Sequence, residues 1–133
     1  MKFTSSIAGN ITGIRFYKGS QDIGTHTGHL WSATGTLLGS ATFSGETASG
    51  WQQVNLSAPV PITAGTTYVV SYHTAGRYSA NANYFATAHV NGSLTAPSSS
   101  ASGGNGVYRY GTAVGFPTST YNANNYWVDV VFQ

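Results

Sequence analysis

The closing run of the chain, Tyr126-Trp127-Val128-Asp129-Val130-Val131-Phe132, constrains the fold more than any other feature. Tyr126, Val128, Val130 and Phe132 fall on one face and Trp127, Asp129 and Val131 on the other, the period of a strand with one side packed. The pattern recurs upstream. In Gly13 to Lys18, Ile14 and Phe16 share a face while Arg15 and Tyr17 share its opposite; in Trp51 to Leu56, Val54 and Leu56 are the inward pair. Thr67 to His73 is strongly β-prone. Leu30-Trp31-Ser32 and the run from Thr36 to Phe43 flank Ala33-Thr34-Gly35, a hairpin turn in which Gly35 supplies positive φ. No window of a dozen residues sustains a helical period. Seven or more short strands, punctuated by Gly and Pro, predict an all-β fold, an antiparallel β-sandwich of jelly-roll-like type.

The 133 residues amount to one domain, so residues 1–133 are read as a single β-sandwich. Pro59 and Pro61 suit an edge strand or an irregular crossover. Residues 74–95 carry Tyr78, Tyr84 and Phe85 among small residues, with Asn81, Asn83 and Thr87 opposing a long helix. Residues 96–106 are dominated by Ser and Gly and resemble a linker. Because the strongest strand lies beyond them, they form a loop inside the domain, and long loops in compact domains are often functional.

Composition removes several functions. Only 6% of residues are charged, against about 25% in an average globular chain. A net charge of +2 on five basic residues gives no footprint for nucleic acid. No apolar run approaches the roughly 18–20 residues that insert into a bilayer. The absence of cysteine excludes disulfides, thiolate zinc sites and cysteine nucleophiles. Aromatic residues make up 14% of the chain, enough for a packed core. Met1-Lys2-Phe3-Thr4-Ser5-Ser6 has no apolar core of a signal peptide. Either the chain is a segment of a longer exported protein or it is cytoplasmic; the preferred reading is the segment, extracellular or at the cell surface, with other domains of the parent chain as neighbours.

A set of motifs supports that context: Gly13-Ile14-Arg15-Phe16-Tyr17-Lys18-Gly19, Gly24-Thr25-His26-Thr27-Gly28-His29-Leu30-Trp31, Glu46-Thr47-Ala48-Ser49-Gly50-Trp51-Gln52, Ala64-Gly65-Thr66-Thr67-Tyr68, Gly106-Val107-Tyr108-Arg109-Tyr110 and Asn125 to Val130. Together they resemble the bacterial family known as domain of unknown function 4082, from about Phe3 to Phe132. The resemblance implies large exported proteins in which such domains stand beside immunoglobulin-like, cadherin-like and other adhesive or carbohydrate-related modules. It implies no catalytic residues.

Enzymatic chemistry has little material here. A glycosidase needs two carboxylates about 5–10 Å apart, and the candidates are Asp22, Glu46 and Asp129. Asp129 reads as a structural acceptor on the face of Trp127, Glu46 as a loop cap, Asp22 as a turn residue. No nucleophile elbow, His-Glu-x-x-His or P-loop is present. A metal site is left open. His26 and His29 would meet around zinc or copper only across a turn, since on a strand a spacing of three sends them to opposite faces. Calcium would draw on Asp22, Glu46 and loop carbonyls.

Glycan binding uses what the chain has in abundance. Sugar hydroxyls pair with amides, hydroxyls, His and Arg, and the C–H face of a sugar packs on a flat aromatic ring. Strand tyrosines such as Tyr17, Tyr68, Tyr72 and Tyr126 serve packing. Tyr78, Tyr84, Tyr108, Tyr110 and Tyr121 lie in or beside loops, among Asn122 and Asn124, where they either bind ligand or plug the end of the sandwich. If the first strand, the 68–73 strand and a central last strand share one antiparallel sheet, the loops 19–29, 74–86 and 110–125 gather at one edge. The ligand-binding residues expected there are His26, His73, Arg77, Tyr78, Tyr84, Arg109, Tyr110, Tyr121, Asn122 and Asn124. The expected function is a non-catalytic, lectin-like module that binds a glycan or polysaccharide. The alternatives are a structural spacer or protein-adhesion domain and, more distantly, a hydrolase.

Overall fold

In the computed structural model, which describes residues 1–133, the alternation seen in the sequence becomes strand pairing. A three-stranded antiparallel sheet places β2 (Gly9–Lys18) between β11 (Val128–Phe132) and β5 (Gly50–Ile62). The facing sheet has six strands. Its order is β4 (Leu37–Thr42), β3 (Thr27–Ser32), β6 (Tyr68–His73), β1 (Lys2–Ser5), β8 (Leu94–Ala96) and β7 (His89–Asn91), every neighbour antiparallel. A short ribbon pairs β9 (Val107–Tyr108) with β10 (Ser119–Thr120). The antiparallel β-sandwich read from the sequence is the fold.

The core lies between the sheets. Ile14 and Phe16 of β2, Val128 and Val130 of β11, Leu30 of β3, Val70 of β6 and Phe3 of β1 meet there with little or no solvent contact. Phe16 is central: its ring stacks on Tyr72 at 4.6 Å, meets Phe43 edge-on at 4.8 Å and lies 4.7 Å from the His26 imidazole. Each such side chain contributes about 1.5–3 kcal/mol by leaving water. On β2, Ile11 and Ile14 are both fully buried although three residues apart. Strict alternation forbids this, and a register shift between Ile11 and Gly13 permits it by moving the inward face one residue along. β5, which carries Pro59 and Pro61, is an edge strand, where proline is tolerated.

A second, smaller cluster lies on the outer side of the six-stranded sheet. Trp31 and Val69 point away from the main core and are covered by Val107 and Phe116 from the segment after residue 105. Trp31 Nε1 donates to Ser71 Oγ at 2.9 Å. The Ser- and Gly-rich stretch that resembles a linker is docked against this sheet. It forms one helical turn, Ser99–Ser102, capped by Ser98 Oγ accepting the Ala101 N–H. It is then pinned by Asn105, whose fully buried amide bonds Lys2, Pro97 and Gly106.

One expectation about strand order is overturned. The last strand is at the edge of its sheet rather than central, and the 68–73 strand belongs to the opposite sheet. The loops gather for another reason: β2 and β6 end at the same end of the sandwich. There Thr74 Oγ1 donates to Asp22 at 2.7 Å, and His73 lies 3.1 Å from the Gly111 carbonyl.

Candidate functional site

The gathered loops contain two different environments. The first is closed. His26 has no solvent exposure, and each ring nitrogen faces a carboxylate. Nε2 is 2.9 Å from Asp22 Oδ1, though off line for a hydrogen bond. Nδ1 is 2.8 Å from Glu46 Oε1 and 3.0 Å from Oε2. Lys18 Nζ approaches the same Glu46 at 3.2 Å and also donates to the Thr47 carbonyl. Burial alone would raise the Glu46 pKa; hydrogen bonds and charge from His26 and Lys18 outweigh it and hold the carboxyl below its ordinary range. His26 is thus a buried structural residue held between two carboxylates, out of reach of any ligand, which corrects its assignment as a binding residue. Glu46 is a charge partner rather than a loop cap. Asp22 does sit in a turn, with its N–H on the Gly19 carbonyl, but its buried carboxylate serves the cluster.

That arrangement bears on metals and catalysis. Asp22 and Glu46 stand on opposite sides of one imidazole, so they do not converge on a point where calcium would sit. No group of three or more His, Cys, Asp or Glu side chains is arranged to hold a metal ion. His26 and His29 do face opposite sides of the sheet. The third carboxylate, Asp129, pairs with Arg15 at 2.6 Å on the outer face of the three-stranded sheet, in agreement with its reading as a structural acceptor.

The second environment is an open cavity of about 400 Å³ between the end of β6, the 74–78 loop and the segment 106–117. Four tyrosines frame it. The Tyr78 and Tyr110 hydroxyls are 2.9 Å apart, and Tyr126 lies edge-on to both Tyr78 and Tyr108, at 5.5 and 6.0 Å. Tyr108 and Tyr110 meet at 5.4 Å. The Tyr110 hydrogen bond, followed by partial burial and the neighbouring phenols, pushes the Tyr78 pKa up to about 12. Burial likewise raises Tyr126. These groups therefore enter any contact as neutral hydroxyls. Arg109 also lines the cavity, its guanidinium lying over Gly115, where a Cβ would collide with it.

At the cavity floor, the outer face of the six-stranded sheet brings in His29 and His73. His29 pairs across to Ser71 in the strand register, so His73, two residues on, is its diagonal neighbour. Burial, then the proximity of His73, lowers the His29 pKa below its ordinary value, so the ring is neutral near pH 7. Its Nδ1 is buried without a hydrogen-bond partner. Such an atom is costly unless something pairs with it.

Of the residues expected to bind ligand, the fold brings His73, Tyr78, Arg109 and Tyr110 together at this cavity. Arg77 is exposed beside it without lining it. Tyr84 lies elsewhere, stacked on His89 at 4.0 Å and edge-on to Trp127. Tyr121 and Asn122 are exposed on the turn after β10, and Asn124 is half-buried against the Tyr126 hydroxyl. The site residues not anticipated are His29, Tyr108 and Tyr126. The alternation of His29 and Trp31 along β3 was a usable signal for His29. Tyr126 shares its parity with Val128, which reads as core, but precedes the strand and turns toward the loops.

Comparison with known families places the chain. The model of the family described as Domain of unknown function (DUF4082) matches residues 1–128, so the chain belongs to that family. Comparison with curated proteins and with solved structures gives no match. No helix is long and apolar enough to cross a membrane.

Proposed function

We propose that this member of the DUF4082 family is a non-catalytic glycan-recognition module of an exported bacterial protein, and that its site is the tyrosine-framed cavity. The observation that carries the reading is the convergence of Tyr78, Tyr108, Tyr110 and Tyr126 with Arg109 and His29 around one open volume. Rigid phenol rings supply apolar planes with polar edges, at small entropic cost. Arg109 offers a fork of donors to vicinal hydroxyls or a sugar carboxylate. A neutral His29 both donates and accepts, as a sugar hydroxyl does. Asp129 and Glu46 are engaged in ion pairs with Arg15 and Lys18, and Asp22 is buried between Thr74 and His26, which favours binding over acid–base chemistry. Affinity per site is expected between about 10 μM and 1 mM, rising through tandem copies in the parent chain.

The test is a glycan array probed with the purified domain, with calcium and with chelator. A cluster of related glycans bound by the wild type and lost in R109A and Y110A, with Y121A unchanged, is the expected result. A blank array in both conditions overturns the reading.

A specific observation favours the second reading, a spacer or protein-adhesion domain. The Tyr78 and Tyr110 hydroxyls satisfy each other, and the rings pack edge to face without a ligand. On that reading the substitutions act through stability alone, and R109A and Y110A alter no saturable binding.

A further inference from the structure

The outer face of the three-stranded sheet carries a separate feature. Tyr17 and Trp51 are direct cross-strand partners on β2 and β5, and their side chains stand in solvent. Trp127 continues the row from Trp51 at a centroid distance of 6.4 Å, and Tyr84 continues it from Trp127 at 5.1 Å. Arg15 lies within this row, its guanidinium 5.3 Å from the centre of the Trp51 ring and 2.6 Å from Asp129. None of these side chains lines the tyrosine cavity.

Trp127 shows that the row is held in place rather than left over from packing. Its φ of 59° lies in the left-handed region, which a bulky residue rarely adopts. Three bonds enforce it: Asn125 Oδ1 accepts the Trp127 N–H at 2.7 Å, Asn81 Oδ1 accepts the indole N–H at 2.7 Å, and the Trp127 carbonyl accepts the Tyr17 N–H. Asn81 and Asn125 are themselves joined by a reciprocal pair of backbone bonds. The 74–95 loop is thereby used to fix one indole on the sheet surface. Strain of this kind persists where the surrounding structure over-determines it, and it collects at ligand clamps.

We propose that this face is a second binding surface, for an extended neutral polysaccharide strand laid across Tyr17, Trp51 and Trp127. A strand of sugar offers many weak contacts, so a row of rings fixed before binding spares it the ordering cost. The formal charges of the face, Arg15 and Asp129, cancel in one ion pair, which suits an uncharged ligand. Polar groups sit among the rings: Gln53 is exposed beside Trp51 on β5, and Arg15 and Asp129 retain partial exposure, with Val90 and Val131 bordering the same surface.

The experiment is affinity electrophoresis of the purified domain through gels containing hydroxyethylcellulose, neutral arabinoxylan, laminarin or soluble starch, with sedimentation of the same samples. The wild type is expected to be retarded by at least one polymer. W51A and Y17A should weaken that retardation at least about tenfold at unchanged melting temperature, while Y110A keeps it. Retardation lost in Y110A but kept in W51A assigns the polymer to the cavity and overturns the second site. Absence of retardation by all four polymers overturns it too. So does a wild-type dimer that W51A converts to monomer, which makes the face a protein interface. Failure of the cavity reading shows separately, as an array signal indifferent to R109A and Y110A.

Discussion

His26 and Glu46 meet at 2.8 Å at a point where the imidazole has no contact with water. With Asp22 at the other ring nitrogen and Lys18 on the far side of Glu46, one buried network joins the end of β2, the turn after it and the β4–β5 connection. Lys18 and Glu46 carry opposite charges at 3.2 Å, and Asp22 and Glu46 flank the two edges of the imidazole. A buried network of this kind adds less to stability than its short distances suggest, yet breaking it is costly.

Replacing Glu46 by Gln keeps the shape and removes the charge that His26 and Lys18 share. The unfolding free energy is expected to fall by about 3 kcal/mol, as for a buried pair that loses one partner. Urea titration followed by tryptophan fluorescence measures it. A change below 0.5 kcal/mol, roughly the scatter of surface substitutions, would show that the cluster is solvated.

Two groups give stability an acid limb. The folded-state pKa of Glu46 lies below its ordinary 4.5, so its contribution is complete above that pH and is lost as pH falls through the folded value. His29 is a base with a depressed pKa, buried in its neutral form. Its contribution is complete above 6.5 and is lost as pH falls through its own lower value. Melting temperature should therefore decline first just below pH 6.5 and again below 4.5. H29Q is expected to flatten the upper step and E46Q the lower, as scanning calorimetry across pH 3–8 would show.

Alternation located the strands because one residue in two must face a core, and the inward sets of β2, β5 and β11 follow from that. Strand order did not follow. Pairing between distant strands depends on how loops close, and nothing in Tyr126 to Phe132 marks that strand as an edge. The cavity was half legible for the same reason. His73, Tyr78, Arg109 and Tyr110 sit in loops whose meeting depends only on which end of the sandwich they leave from. His26 misled because a histidine in a Gly-Thr segment looks exposed, and its burial depends on Asp22, Glu46 and Phe16 arriving from three separate elements. The left-handed backbone of Trp127 was only half legible, since Asn125, which accepts its N–H, is a local neighbour but Asn81, which holds the indole, is 46 positions away.

Tyr78 should resist ionisation until about pH 12, because its neutral hydroxyl is bonded to Tyr110. Removing that partner in Y110F should bring the Tyr78 midpoint back toward 10 without altering the other phenols of the cluster by as much. Titration of tyrosines labelled at Cζ, followed by NMR, resolves the nine individually. An unchanged Tyr78 midpoint in Y110F would mean that the two hydroxyls are not bonded in solution.

Asn105 is the least replaceable residue of the Ser- and Gly-rich stretch. Its amide accepts from the Lys2 and Gly106 N–H groups and donates to the Lys2 and Pro97 carbonyls, all inside the fold. N105A leaves buried backbone groups without partners, at about 1–3 kcal/mol each, so a loss of several kcal/mol is expected. Hydrogen exchange should show protection lost from residues 96–108 and from β1 ahead of the rest. Uniform loss across both sheets would mean instead that the stretch does not open as a unit.

Gly115 and Arg109 give the cavity an internal control. A methyl group at Gly115 occupies the space of the Arg109 guanidinium and must displace it, without adding or removing a charge. If Arg109 contacts the glycan, G115A should weaken binding nearly as much as R109A does. Acting on the same contact, the two substitutions should be strongly non-additive in the double variant. Arg109 is exposed, so both variants are expected to melt within about 0.5 kcal/mol of the wild type. Additive losses in calorimetric titration would show that Gly115 acts on the cavity by a route other than Arg109, and full binding by G115A would place the guanidinium outside the ligand contact.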